Sequence, residues 1–266
     1  MVNSEALNNI SNTLKCNIED IKNIEYLKVG LTNSSFKFCV LDKAYVYRQP
    51  GKNTNIFINR KSEVYSEKIA KELGLDKTII HIDESGWKLS KYLDCVLLDP
   101  YDINDQKRAM KLIKKLHNAN IVSKYDFDYL KETERFIKIF KQDKIVDFSK
   151  HLETHKQVKR INKLLDSLGY TKVLCHNDFW SYNILKEKSN KLTLIDWEYS
   201  GNAYPACDVA YYVSSLDFSI DDYLSLAKLY EGHTLTDKET KYYLYSLAIV
   251  MWYWYVWALY KEANGK

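Results

Sequence analysis

Residues 173-VLCHNDFWSYNIL-185 set His176, Asp178 and Asn183 in the pattern HxDxxxxN, and 192-LTLIDWEYSG-201 adds the acidic pair Asp196 and Glu198 behind an apolar strand. Phosphoryl transfer from ATP needs a carboxylate to orient and deprotonate the acceptor hydroxyl, and oxygen ligands for the magnesium that bridges the phosphates. This spacing supplies both. Four residues between an Asp and an Asn let the two side chains converge, and the end of a strand delivers a second carboxylate opposite them. The first motif alone is suggestive; the second, led by a strand shortly afterwards, makes the pair specific.

Outward from these motifs the chain divides into unlike halves. Upstream, IEYLKV, SFKFCVLD and AYVYRQP are short, β-branched or aromatic runs separated by GLTNS and a turn at Asp42-Lys43, which predicts an antiparallel meander. Ile56, Val64, Ile69 and Leu73 follow at near-helical spacing with Gly74 as the stop, predicting one helix among the strands. TIIHID and WKLSKYL flank the Glu84-Ser85-Gly86 turn as a second hairpin. Past Pro100 helical patterns dominate, with Ala109, Leu112, Ile113 and Leu116 on one face, and strands return only around the two motifs. The expected architecture is α+β and two-lobed: a small antiparallel-sheet lobe over residues 1–92 and a larger, mainly helical lobe over 93–266.

At HNDxxxxNIL, IDWEYSG and the later Asp208 the chain resembles the aminoglycoside phosphotransferase and choline kinase superfamily, whose fold is that of protein kinases, and within it the bacterial choline kinases. The resemblance implies that Asp178 is the catalytic base, that Asn183 and Asp196 are the magnesium ligands, and that His176 supports the catalytic loop. It implies that Asp208 braces that loop from the next helix, and that Glu198 serves a second metal or the substrate pocket. In the first lobe, Gly30, Thr32, Asn33 and Ser34 of VGLTNSSFKF resemble the family's phosphate-covering loop. Arg48 stands where choline kinases commonly place a phosphate-binding arginine, a planar and permanently charged fork. Glu63 would pair with Arg48, and the segment Lys91 to Leu93 would be the hinge that receives adenine. One departure is Tyr182, where the family often has Gly just before the Asn. His117 matches a recurrent Leu-His of the superfamily and is read as a core histidine.

The acceptor is read from the C-terminal stretch KYYLYSLAIVMWYWYVWALYK, whose nineteen residues between Lys241 and Lys261 carry no formal charge. On a helical wheel Tyr253, Trp254 and Trp257 share one arc, while Trp252 and Tyr255 point elsewhere. Choline's quaternary ammonium cannot donate a hydrogen bond, so its recognition relies on aromatic faces. Trp254 and Trp257 have the WxxW spacing of choline kinases, though the rings that touch the cation remain open between the two faces. Ethanolamine, thiamine and aminoglycoside kinases share every catalytic residue named. An aminoglycoside site needs several carboxylates, and this region offers few beyond Glu262. A catalytically silent pseudokinase scaffold is disfavoured by the intact acids and Asn.

Charge and composition exclude little but agree. A net charge of +4, with Lys interspersed among Glu and Asp, demands no nucleic-acid partner. Five scattered cysteines without a CxxC argue against a disulfide framework or a structural zinc site. The first fifteen residues lack a cationic start followed by an apolar block, so no targeting segment is expected and the cytoplasm is the default. The aromatic stretch is expected to be a site wall rather than a membrane span, its Tyr and Trp being crowded at one end instead of at two interfaces. The expected state is a monomer or homodimer.

Overall fold

The computed structural model describes residues 2–27, 33–51 and 57–264. Two compact units are present: Met1–Val96 with Lys186–Thr193, and Leu97–Leu185 with Leu194–Lys266. The division falls after Val96, where sequence had put it after residue 92. Residues 186–193 join the first unit although they follow the catalytic motif, a grouping that chain order cannot reveal.

The first unit is built on an antiparallel sheet in the order β1 (Lys22–Leu27), β2 (Ser34–Val40), β3 (Lys43–Gln49), β5 (Lys88–Lys91), β4 (Ile79–Ile82). Pairing of Val40 with Lys43 leaves a two-residue loop, and Leu41 and Asp42 both have positive φ. That backbone matches the twist of the flanking strands, and it places the turn one residue earlier than expected. Alternation along β2 buries Phe36, Phe38 and Val40, which pack with Tyr47 and Leu89. Their cover is α1 (Ser4–Leu14), capped by the Asn3 side chain and presenting Ala6 and Ile10 to the cluster. This helix corrects the expectation of a single helix in the lobe; SEALNNISNTL has too few large apolar residues for its periodicity to stand out. The expected helix is α2 (Arg60–Glu72), which starts where the Asn59 side chain accepts from the Ser62 N–H and stops before Gly74 at φ +67°. Ile56, Gly30 and Thr32 lie outside the described residues.

In the second unit, α3 (Ile103–His117), α4 (Tyr129–Asp143), α5 (Leu152–Ser167), α6 (Pro205–Tyr212), α7 (Ile220–Glu231) and α8 (Asp237–Ala263) form the bulk. The Asp102 carboxylate accepts from two N–H groups of the first turn of α3 and caps it. After α5 come β7 (Val173–Cys175), the hairpin strands β8 (Ile184–Glu187) and β9 (Leu192–Leu194), and β10 (Gly201–Ala203), which pairs antiparallel with β7. The short β6 (Cys95–Leu97) marks the passage between the units. The uncharged C-terminal stretch lies within α8, whose start is closed by a Thr236–Glu239 capping box and whose sides pack on α4, α5 and α6. No described helix is long and apolar enough to cross a membrane.

Candidate active site

The catalytic motif is a turn between β7 and β8 whose backbone is held from three sides. Asp208, fully buried in the first turn and a half of α6, accepts the His176 N–H on Oδ2 at 2.9 Å and the Asn177 N–H on Oδ1 at 2.6 Å. The same carboxylate accepts from His117 Nε2 at 2.9 Å, and His117 Nδ1 meets the Tyr230 hydroxyl at 2.8 Å. His117 is the buried core histidine that sequence suggested, and it also fixes the brace. His176 is equally buried, and burial pulls its pKa down, so the ring is neutral. Its Nδ1 takes the Asp178 N–H at 3.3 Å, which leaves Nε2–H to donate to the Ile195 carbonyl at 3.0 Å. Trp197 lies edge-on against the ring at 4.7 Å, so one imidazole ties the Asp178 turn to the strand end that carries Asp196.

Within the loop, the Asn183 amide donates to the Asp178 carbonyl and to Oδ2 of its carboxylate, each at 2.9 Å. The Asp and Asn of the motif are therefore brought together as their spacing predicts. Tyr182 sits in a single 3-10 turn, Ser181–Asn183, is half exposed, and is not among the residues with positive φ. The expected need for Gly there does not arise. Strained φ values belong instead to Asn177 at +63° and Asp196 at +67°, where a non-glycine residue costs about 1–2 kcal/mol.

Burial drives the Asp178 carboxyl well above the usual carboxylate range; Asp196 and Glu198 push the same way, and the Tyr211 hydroxyl and Asn183 pull it back. Asp196 and Glu198 thus lie within electrostatic reach of Asp178, whose Oδ2 accepts from the Asn183 NH2. Such a set of hard oxygen donors fits a divalent cation of the magnesium kind, which takes carboxylates and carbonyl oxygens.

Next to Asp178 lies a group of aromatic rings. Tyr211 of α6 stacks on Trp254 of α8 with centroids 4.5 Å apart and planes at 24°. Tyr199, from the IDWEYSG loop, meets Trp254 edge-on at 5.4 Å, and Trp257 does so at 5.2 Å. Trp252 and Tyr255 stack on each other on the opposite face, near His151 and His155. The two faces expected from the helical wheel are thus occupied differently. Tyr253 departs from expectation: at 1% exposure it is enclosed by Phe127, Tyr129 and Phe136 and presents no open face. The sequence reading missed Tyr199 and Tyr211. Tyr211 lies three residues after Asp208, near the end of the same short helix.

The first unit holds a second cluster of charge. Arg48 on β3 donates from Nη2 to Glu63 Oε1 at 2.5 Å and to the Gly86 carbonyl at 3.0 Å. Glu63 on α2 is fully buried and offers its other oxygen to Arg60 Nη1 at 2.6 Å. Burial alone would raise the Glu63 pKa, but Arg48, Lys88 and Arg60 outweigh it and hold the group below its ordinary value. Arg60 was not singled out from sequence. Gly86, at φ +91°, makes room for it: a Cβ there would lie 2.7 Å from Arg60 Nε. Ser34 pairs with Gln49 at the start of β2, and the Asn33 side chain accepts from the Gly51 N–H at 3.3 Å. Lys91 ends β5, its N–H donating to the Thr78 carbonyl at 2.8 Å, and Leu93 follows half-buried.

Comparison with known proteins agrees with this chemistry. The choline/ethanolamine kinase family model matches residues 24–261. Protein LicA of Haemophilus influenzae is 25% identical over 257 residues, covering 89% of this chain and 73% of that protein. A probable ethanolamine kinase of Arabidopsis thaliana is 24% identical, covering 72% of this chain and 55% of the relative. Among solved structures, choline kinase LicA from Streptococcus pneumoniae superposes with a TM-score of 0.77 at 23% identity, over 97% of this chain and 90% of that one.

Proposed function

This chain belongs to the choline/ethanolamine kinase family of small-molecule phosphotransferases, and from that premise we propose that it transfers the terminal phosphate of ATP to the hydroxyl of choline, giving phosphocholine. The observation that carries the acceptor is the ring group of Tyr199, Tyr211, Trp254 and Trp257 beside Asp178. A quaternary ammonium has no N–H to offer and gains about 0.5–2 kcal/mol from each well-placed ring. The primary ammonium of ethanolamine, by contrast, needs hydrogen-bond acceptors that rings do not supply.

In this reading Asp178 accepts the hydroxyl proton as the oxygen attacks phosphorus and the bond to ADP breaks. The high proton affinity imposed on Asp178 by burial and by Asp196 and Glu198 suits that task. Asn183 steers the Asp178 carboxylate through the bond to Oδ2. Asn183 and Asp196 would hold magnesium, which when bound supplies positive charge against the phosphates and the crowded carboxylates. Glu198 would serve either a second ion or the acceptor. Arg48, aimed by Glu63, meets phosphate oxygens; Gly30, Thr32, Asn33 and Ser34 cover them, and the backbone of Lys91 to Leu93 receives adenine. Phosphoryl transfer depends mostly on such positioning and charge, with little covalent chemistry left to the protein.

A coupled ADP-release assay with choline, ethanolamine, thiamine and kanamycin tests this. Choline should give the highest kcat/KM, and Asp178→Ala should lower turnover by about 10³-fold. Ethanolamine outrunning choline would reassign the acceptor, and turnover near wild type in Asp178→Ala would sink the mechanism.

A further inference from the structure

Between His176 and Asp178 stands a residue to which the mechanism above gives no part. Asn177 is entirely buried in the left-handed region, φ +63°, where a side chain is held only by what it contacts. Its N–H donates to Asp208 Oδ1. Its amide NH2 donates to the Tyr199 carbonyl at 3.2 Å and the Gly201 carbonyl at 3.1 Å, and its Oδ1 accepts from the Tyr129 hydroxyl at 3.1 Å. Tyr129 in turn lies edge-on to Tyr253 of α8 at 5.4 Å. One side chain thereby joins the backbone that carries Asp178, the backbone that carries Tyr199, and the α4 ring packed under the aromatic face of α8.

We propose that Asn177 is a positioning residue that fixes the separation between Asp178 and the Tyr199–Trp254 rings, and thereby selects acceptors by the distance from hydroxyl to ammonium. The proposal rests on the reading that the acceptor is a quaternary amino alcohol. Its physical basis is that a base and a cation site form a ruler only if both ends are tied to one rigid element. Asp208 and His176 hold the loop upright, but neither side chain bonds to the turn that carries Tyr199. Gly201 has room for this arrangement because its missing Cβ lets the Phe127 backbone approach; a Cβ would stand 3.0 Å from the Phe127 nitrogen. A residue that merely kept the loop folded would affect all acceptors alike. A ruler affects them according to length.

The test compares choline with its three-carbon homologue, (3-hydroxypropyl)trimethylammonium, in the wild type, Asn177→Gly and Tyr129→Phe. Glycine tolerates the same φ while deleting every side-chain tie, and Tyr129→Phe removes one tie without touching the loop. The ratio of kcat/KM for choline over the homologue should fall about tenfold in Asn177→Gly and less in Tyr129→Phe, as expected for displacement of a well-aligned pair. The KM for ATP should stay within about twofold. If Asn177→Gly fails to melt cooperatively, the ratio in Tyr129→Phe decides alone. Equal losses for both acceptors would overturn the role of Asn177 and leave the kinase assignment standing. A wild type that phosphorylates neither would remove that assignment, and the ruler with it.

Discussion

Gly86→Ala is a demanding test of the first unit, because its cost can be worked out in two separable parts. Alanine at φ +91° pays about 1–2 kcal/mol for a backbone region hostile to a Cβ. That Cβ would also stand 2.7 Å from Arg60 Nε and 3.0 Å from Cζ, closer than such atoms come. A surface arginine would swing aside at little cost. Arg60 is only 6% exposed and is bound to Glu63 Oε2 at 2.6 Å, so moving it forfeits a buried, charge-assisted hydrogen bond, about 1.5–3 kcal/mol. The sum, about 2.5–5 kcal/mol, is a large share of a typical domain's stability. In an Arg60→Ala background the clash vanishes and only the backbone part, about 1–2 kcal/mol, remains. Urea denaturation of the four proteins in this cycle should therefore give a coupling of about 2 kcal/mol. Additivity within about 0.5 kcal/mol would refute the claim that Gly86 exists to admit Arg60. Since Glu63 also holds Arg48, Gly86→Ala should raise the KM for ATP more than the KM for choline.

Trp254→Ala should raise the choline KM about 30-fold, the equivalent of one desolvated cation–π contact of about 2 kcal/mol, with a much smaller effect on the ATP KM; equal effects would make the ring packing only. Burial lifts the Glu67 carboxyl up to about 7, despite the Lys88 ammonium at 2.7 Å. The folded chain thus keeps a proton that the unfolded chain releases near 4.5, so this group's stabilising contribution is full below that pH and is lost as pH rises through 7. Glu67→Gln should flatten the dependence of Tm on pH across that window, and an unaltered slope would refute the assignment.

What could be read from the sequence was chemistry with fixed spacing. HxDxxxxN and the strand before Asp196 admit few arrangements, and Asp178, Asn183 and His176 lie together, joined by hydrogen bonds. The meander was equally legible, since alternation in SFKFCV writes burial directly into residue order. Tyr253 was misjudged because a helical wheel gives direction but not the bulk opposite; Phe127, Tyr129 and Phe136 come from another part of the chain and close over it. Arg60, the first residue of α2, carries no sequence signal of its own. Only the glycine at position 86, distant in sequence, shows that it is inside. Tyr211 was hidden by its neighbours, as every residue of α6 after Pro205 is buried and the pattern has no polar side to contrast with.

The arrangement of α8 also bears on how the acceptor range of such an enzyme can change. Trp254 and Trp257 are carried by a helix whose other residues are the packing of α4, α5 and α6, with Trp252 hydrogen-bonded to His155 on the far side. Any shift or rotation of that helix to suit a new cation disturbs four helices at once. Innovation is therefore steered toward Tyr199, which hangs from a loop, and toward the size of the tryptophan rings rather than their placement. On the proposed reading acceptor preference and thermal stability are inherited together, and laboratory selection for a new acceptor should be accompanied by selection for compensating mutations along α4 and α5.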